Sequence, residues 1–216
     1  MHMQDMTDHN EAALAAGRWL FAQSCTFVLG AAGPEQVPDS TLPEVAFAGR
    51  SNVGKSSLVN ALTGRRTLAR VSNTPGRTQQ INFFNLGARL MLADLPGYGF
   101  AKAPRDLVEQ WTLLTDNYLR GRAPLRRALL LIDARHGLKN TDRKVMTMLN
   151  IAAVSYQCVL TKCDKLTDAG LQVTMDTLAV EVSRLGAAHP RIFTTSARVG
   201  IGIEALRVEL AEIAAA

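Results

Sequence analysis

One octapeptide restricts this chain more than any other feature. Gly49-Arg50-Ser51-Asn52-Val53-Gly54-Lys55-Ser56 follows the apolar run Val45 to Ala48 directly and precedes a helical stretch through Leu58 and Leu62 to Gly64. A Gly-rich turn that leaves a buried strand and opens a helix lets successive backbone N–H groups curl around phosphates. The spacing is that of a phosphate loop in the strand-to-helix setting the pattern requires. On this reading Gly49 to Ser57 contact a nucleotide, including Arg50, Ser51, Asn52, Val53 and Gly54. Lys55 neutralises the terminal phosphates, and the Ser56 hydroxyl ligates Mg2+. The bland alternative is a Gly-rich turn before an ordinary helix, and the motifs further along the chain weigh against it.

The rest of the pattern predicts the fold around that loop. The runs Leu90 to Ala93, Ala128 to Ile132, Cys158 to Leu160 and Ile192 to Thr194 read as strands buried on both faces. Between them lie amphipathic periods: Leu107, Val108, Trp111, Leu114 and Tyr118, then Val145, Met148, Leu149 and Ala152. Two more follow, at Leu171, Met175, Leu178, Val182 and Leu185 with Gly186 as C-cap, and at Ile203, Leu206, Leu210 and Ile213. Alternating strands and helices predict an α/β fold with a mostly parallel sheet flanked by helices on both faces, and the loop makes it a phosphate-loop NTPase. Residues 43–216 form that domain. Residues 1–42 read as an N-terminal extension, a helix from Glu11 to Ala22 and a lead-in broken by Gly33, Pro34 and Pro38.

At 216 residues the chain should bury roughly 70% of its unfolded surface, enough for an apolar core to carry stability alone. Cys25, Cys158 and Cys163 match no disulfide framework, and the four histidines form no ligand pattern with them. The apolar stretch Trp19 to Ala32 is interrupted by Gln23, Ser24 and Thr26 and preceded by Asp5, Asp8 and Glu11, unlike a secretory leader. It is also too short to span a bilayer. A cytoplasmic monomer with no membrane partner is the expectation.

Asp94-Leu95-Pro96-Gly97 ends its own strand, which places a carboxylate where a magnesium-bound water needs an acceptor and a backbone N–H of Gly97 where it can sense a γ-phosphate. Thr161-Lys162-Cys163-Asp164 and Thr195-Ser196-Ala197 close two later strands, at the edge where open α/β sheets bind ligands. The Asp164 carboxylate can accept two hydrogen bonds from guanine, a donor pair that adenine lacks. Lys162 would lay its stem along the base or the loop, and the Ala197 N–H would meet the guanine carbonyl. GTP and GDP are therefore the expected ligands.

With these motifs on the page, the chain resembles the EngB (YihA/YsxC) family of bacterial ribosome-assembly GTPases. The resemblance runs from about Leu42 onward and also rests on Leu42-Pro43-Glu44, Thr74-Pro75-Gly76-Arg77-Thr78-Gln79 and Tyr98-Gly99. It implies that Thr78 joins Ser56 on Mg2+ when GTP is bound and acts with Lys55 and Gly97 in hydrolysis, and that Gly76, Arg77, Gln79 and Gln80 border the nucleotide. Thr161, which stands where many GTPases use Asn, is expected to brace the loop. The resemblance further implies a switch acting on the large ribosomal subunit or its rRNA, with involvement in cell division and septation. It implies as well that Asn52 helps coordinate K+, against the alternative that this side chain stabilises the loop through local hydrogen bonds.

Tyr98 holds the place where a glutamine would orient the attacking water, so slow intrinsic turnover is expected. The net charge of +5 permits an anionic partner. Arg120, Arg122, Arg126 and Arg127, with Arg65, Arg66, Arg70 and Arg77, form either an RNA-facing patch or a solvated surface. Trp111 and Tyr118 read as core, and His136 as a surface residue. Two other functions compete with the switch: a small-molecule phosphotransferase using the same loop, and a nucleotide-bound division scaffold with no ribosomal role.

Overall fold

The computed structural model describes residues 3–65, 68, 80–99 and 105–216, with side chains from residue 10 and, in the helix that opens at 105, from residue 113. In chain order the elements are α1 (Met3–Ala22), β1 (Cys25–Ala31), β2 (Glu44–Gly49), α2 (Lys55–Thr63), β3 (Ile81–Leu86) and β4 (Leu90–Asp94). There follow α3 (Arg105–Gly121), β5 (Leu125–Asp133), α4 (Asn140–Ile151), β6 (Tyr156–Thr161), α5 (Asp168–Val182), β7 (Phe193–Thr194) and α6 (Ile203–Ala215).

The strands form one seven-stranded sheet in the order β1-β3-β4-β2-β5-β6-β7. Pairings β4-β2, β2-β5, β5-β6 and β6-β7 are parallel, whereas β1-β3 and β3-β4 are antiparallel. The parallel strands alternate their side chains between two apolar layers, as burial on both faces demands. Val45, Phe47, Leu129 and Leu131 pack with Leu58 and Leu62 of α2 and Leu206 and Leu210 of α6. Ala46, Ala48, Leu130 and Ile132 pack with Leu114 and Tyr118 of α3, Leu149 of α4 and Leu178 of α5. Tyr118 is thus core as expected, whereas Leu107, Val108 and Trp111 fall where no side chain is described.

Two strands and two helix ends differ from the sequence reading, the first such end being that of α1, which opens at Met3 and not at Glu11. β1 was not among the expected runs; it lies on the sheet's edge, where Thr26, Phe27 and Val28 are exposed, and its register shifts between Phe27 and Leu29. β3 escapes notice because Asn82 and Asn85 break its apolar run. Gly186 is not the cap of α5. That helix ends at Val182, and Ser183, still in right-handed backbone, donates its N–H to the Ala179 carbonyl, so no left-handed residue is needed. Within the first 42 residues, Leu20 and Phe21 of α1 are buried in the core, and Arg18 pairs with Glu204 of α6 at 2.7 Å.

Because β2, β4, β5, β6 and β7 run the same way, their C-terminal ends share one edge, bringing Gly49, Asp94, Asp133, Thr161 and Thr194 together. β2 sits where the chain reverses its direction of travel across the sheet, with β4 on one side and β5 on the other. Such a point opens a crevice for ligands. The far wall is held by Gly202, which opens α6 with φ +71° and lies so close to β7 that a Cβ there would overlap the Thr194 carbonyl. Gly202→Ala should therefore cost roughly 3 kcal/mol of stability or more, read as a lowered urea midpoint at unchanged slope.

Candidate functional site

Residues after β2 form the floor of the crevice. Asn52 and Gly54 take left-handed backbone, φ +62° and +107°. Alternating such residues with right-handed ones gathers N–H groups into an anion-binding concavity. The Val53 N–H donates to the Arg50 carbonyl at 3.1 Å, and α2 begins at Lys55, so its positive dipole end faces into the loop. Ser56 and Ser57 lie in that first turn.

The segment after β4 lies directly on the loop. Lys55 Nζ donates to Asp94 Oδ1, and both side chains are nearly buried. Leu95 N donates to the Phe47 carbonyl at 3.0 Å, and Pro96 is buried behind it. Gly97 comes so close that a Cβ would stand 3.2 Å from the Ser51 N and Cα atoms. Tyr98 N donates to the Gly49 carbonyl at 3.2 Å, and Ser51 N donates to the Tyr98 carbonyl at 3.0 Å. The two motifs are thus joined main chain to main chain.

The loops after β6 and β7 close the other side. Thr161 Oγ1 donates to the Val53 carbonyl at 2.7 Å, so the hydroxyl braces the phosphate loop. Lys162, at φ +59°, sends Nζ to the Asn52 carbonyl at 2.7 Å and to Asp133 Oδ2 at 2.8 Å. Burial opposes the charged form of Asp133, but hydrogen bonds from Arg135 and Lys162 outweigh it and hold the carboxyl well below the usual range. Ser196 Oγ donates to Asp164 Oδ1 at 2.7 Å, and that bond lowers the Asp164 pKa. Cys163 N donates to the Thr195 carbonyl at 3.1 Å, which stitches the two loops, while the Cys163 side chain is buried.

Gly54, Ser57, Thr161, Lys162, Asp164 and Ala197 line an open cleft of about 220 Å³. Nucleophilic thiol chemistry has no place in it. Burial pushes Cys25 up to about 11 and Cys158 up to about 12, and raises Cys163 as well.

Of the residues expected from sequence, those from Gly49 to Ser57, from Asp94 to Gly97, from Thr161 to Asp164 and from Thr195 to Ala197 meet at this edge. Gly76, Arg77, Thr78 and Gln79 lie outside the described residues. Gln80 is exposed, and its side-chain amide lies over Gly30 of β1. Sequence reasoning missed Asp133, Arg135 and Arg198. Asp133 carried a usable signal, since it ends a buried strand at the ligand-binding edge.

The central arginines are mostly committed within the protein. Arg120 bonds Asp116, Arg127 bonds Glu209, and Arg122 makes a two-nitrogen contact with the fully buried Glu44. Charge reversal at Arg122 would therefore report on folding before it reported on any RNA. Arg126 and Arg65 are exposed, whereas Arg66, Arg70 and Arg77 lie outside the described residues. His136 is an exposed turn residue.

The oxygen-only set of the Ser56 hydroxyl and the Asp94 carboxylate suits Mg2+. Among the described residues no three His, Cys, Asp or Glu side chains stand together as a metal-holding group. Also among the described residues, no helix is long and apolar enough to cross a membrane.

Comparison with known proteins agrees with this geometry. Residues 44–162 match the family described as 50S ribosome-binding GTPase. The chain is 58% identical over 215 residues to the probable GTP-binding protein EngB of Rhodospirillum rubrum, covering 96% of this chain and 93% of that protein. It is 50% identical over 204 residues to the protein of the same name from Cereibacter sphaeroides, with 94% of each covered. Among solved structures, a probable GTP-binding protein EngB superposes with a TM-score of 0.63 at 24% identity, over 80% of this chain and 98% of that one, a likeness of fold.

Proposed function

The chain belongs to the EngB family of GTP-binding proteins and is a GTPase, and from that premise we propose that it is a nucleotide-controlled switch acting on the large ribosomal subunit during assembly. The observation that carries this reading is the main-chain junction between the phosphate loop and the segment after β4. Tyr98 N and O are both bonded to loop residues, so a terminal phosphate that engages Gly97 N–H must act on this junction. Membership of a GTPase family removes the phosphotransferase alternative.

Within the site the roles divide by chemistry. Backbone N–H groups from Gly49 to Ser57 cradle the phosphates. Lys55 exchanges Asp94 for the terminal phosphates, and Gly97 N–H meets the γ-phosphate. Ser56, Thr78 and, through water, Asp94 would hold Mg2+, which when bound offsets charge on the β- and γ-oxygens. Asp164 reads the guanine edge, oriented by Ser196, and the Ala197 N–H meets its carbonyl. Lys162, pinned to the loop carbonyl of Asn52, covers the base with its stem. Gly76, Arg77, Gln79 and Gln80 border the nucleotide from the first switch. Residues 43–216 act as the GTPase domain and 1–42 as its extension, in a cytoplasmic monomer.

The matched family's description as 50S ribosome-binding supports the large subunit as partner. Cosedimentation with purified ribosomal subunits should show retention on the large subunit with a non-hydrolysable GTP analogue and release with GDP. Equal binding in both nucleotide states overturns the switch. No binding in either state leaves the division and septation scaffold as the surviving reading.

Asn52 bears on the rate. Its side chain is exposed and makes no hydrogen bond among the described residues, so the loop-brace alternative has no contact behind it there. A K+ ion held there would add positive charge beside the phosphates. GTP turnover at matched ionic strength should be several-fold faster in potassium than in sodium, and Asn52→Ala should abolish the difference. Equal rates in the two salts refute the assignment.

A further inference from the structure

The residue after Gly97 is tied to a part of the protein that no motif marks. Tyr98 Oη donates to Asp142 Oδ1 at 2.8 Å. Asp142 lies in the first turn of α4 and has no exposed surface. Its other oxygen, Oδ2, accepts from the Lys139 N–H at 2.9 Å, capping the helix, and sits 3.2 Å from Arg50 Nε of the phosphate loop. Arg50 Nε makes no well-directed hydrogen bond, so its contact with Asp142 is chiefly electrostatic, and the directional bonds come from Tyr98 and Lys139.

One buried carboxylate thus joins three pieces: the second residue of the phosphate loop, the residue after the D-x-x-G glycine, and the start of α4. Tyr98 is held at both ends, its main chain by Gly49 and Ser51 and its phenol by Asp142. Gly97 has no side chain of its own to fix it, so the placement of its N–H follows from the residue on either side. Burial, reinforced by the Asp142 charge, raises the Tyr98 pKa far above the ordinary phenol value, and the hydroxyl stays a donor committed to Asp142. It is not free to orient water.

We propose that Asp142 is a positioning residue for GTP hydrolysis: through Tyr98 and Arg50 it fixes the Gly97 segment against the phosphate loop. This rests on the reading that Gly97 N–H faces the γ-phosphate. Gly97 N–H also meets the γ-phosphate of bound GTP, but a misplaced donor costs most where charge develops, in the transition state, so kcat falls more than binding weakens. A carboxylate that merely stabilised the fold would shift the melting temperature without that split.

The test is Tyr98→Phe, which removes one hydroxyl and keeps the ring, together with Asp142→Asn and the double variant, each assayed for GTP turnover, KM, GDP affinity and melting temperature. Tyr98→Phe should lower kcat about tenfold with KM and GDP affinity within about twofold of the parent. The double variant should be no slower than the slower single one, since both break the same link. Wild-type kcat in Tyr98→Phe overturns the proposal, as does a double variant whose loss is the product of the two single losses. Should Asp142→Asn fail to fold, Tyr98→Phe decides alone. Lys55→Ala, run alongside, separates the two levels of the argument. If its turnover collapses while Tyr98→Phe is unaffected, the Asp142 link alone is wrong; if neither variant is affected, the phosphate-site reading falls and takes the link with it.

Discussion

Lys55→Ala is expected to lower kcat/KM for GTP by about a hundredfold or more, equivalent to about 2.7 kcal/mol of lost transition-state stabilisation. Lys55 is the phosphate loop's own cation, and it is aimed across the loop at the D-x-x-G carboxylate. The substitution also strands Asp94, whose side chain is only 6% exposed, without its ammonium partner. Breaking a buried pair from one side costs about 3 kcal/mol, so lost activity alone would not distinguish a missing catalytic charge from a weakened fold. Adding Asp94→Asn to Lys55→Ala resolves this. It removes the orphaned charge and should recover most of the melting temperature, while turnover stays at or below the level of Lys55→Ala, because Asp94 also serves Mg2+ through water; Asp94→Asn alone measures that share. Recovery of turnover along with stability would show that Lys55 holds the fold rather than the phosphates.

The parts of this molecule that could be read from sequence are those in which backbone geometry dictates residue type. A loop that must curl around phosphates needs glycines at set positions, and strands buried on both faces must be continuously apolar, which is why β2, β4, β5, β6 and β7 stand out. β1 and β3 obey neither condition. β1 is an edge strand with one side open to solvent, and β3 carries Asn82 and Asn85 within its apolar residues. The site was legible wherever a motif follows a strand. The contacts that tie its pieces together are tertiary and leave no local pattern. Nothing near Asp142 in sequence says that it meets Tyr98, and nothing near Glu44 says that it will claim Arg122. Arginine counting suggested a basic face for the same reason: composition records charge, and only packing shows which charges are already paired.

Asp164→Asn should change the GTP-over-XTP preference by about a thousandfold, the largest specificity effect expected of any single change here. The carboxylate offers two acceptors to the N1–H and the exocyclic amine of guanine. Asparagine keeps one acceptor and sets an amide N–H2 against the other donor, which leaves two donors facing each other in a desolvated contact. Ser196 Oγ donates to Asp164 Oδ1, so in the variant it holds the amide oxygen on its own side and leaves the nitrogen in the place of Oδ2. Xanthine carries a carbonyl where guanine carries the amine, and that carbonyl fits the new N–H2 group. GTP affinity should therefore fall while XTP affinity rises, and both can be measured by fluorescence titration. Stability should hardly move, because among the described residues the ion pair lost is with Lys165, at 3.8 Å and half exposed. The Ser196 bond also keeps the Asp164 pKa below its ordinary value, so in the parent protein guanine selectivity should persist as pH falls through the usual aspartate range. A variant that loses GTP and XTP alike would mean that Asp164 shapes the loop without reading the base, and one that keeps full guanine preference would remove it from the site.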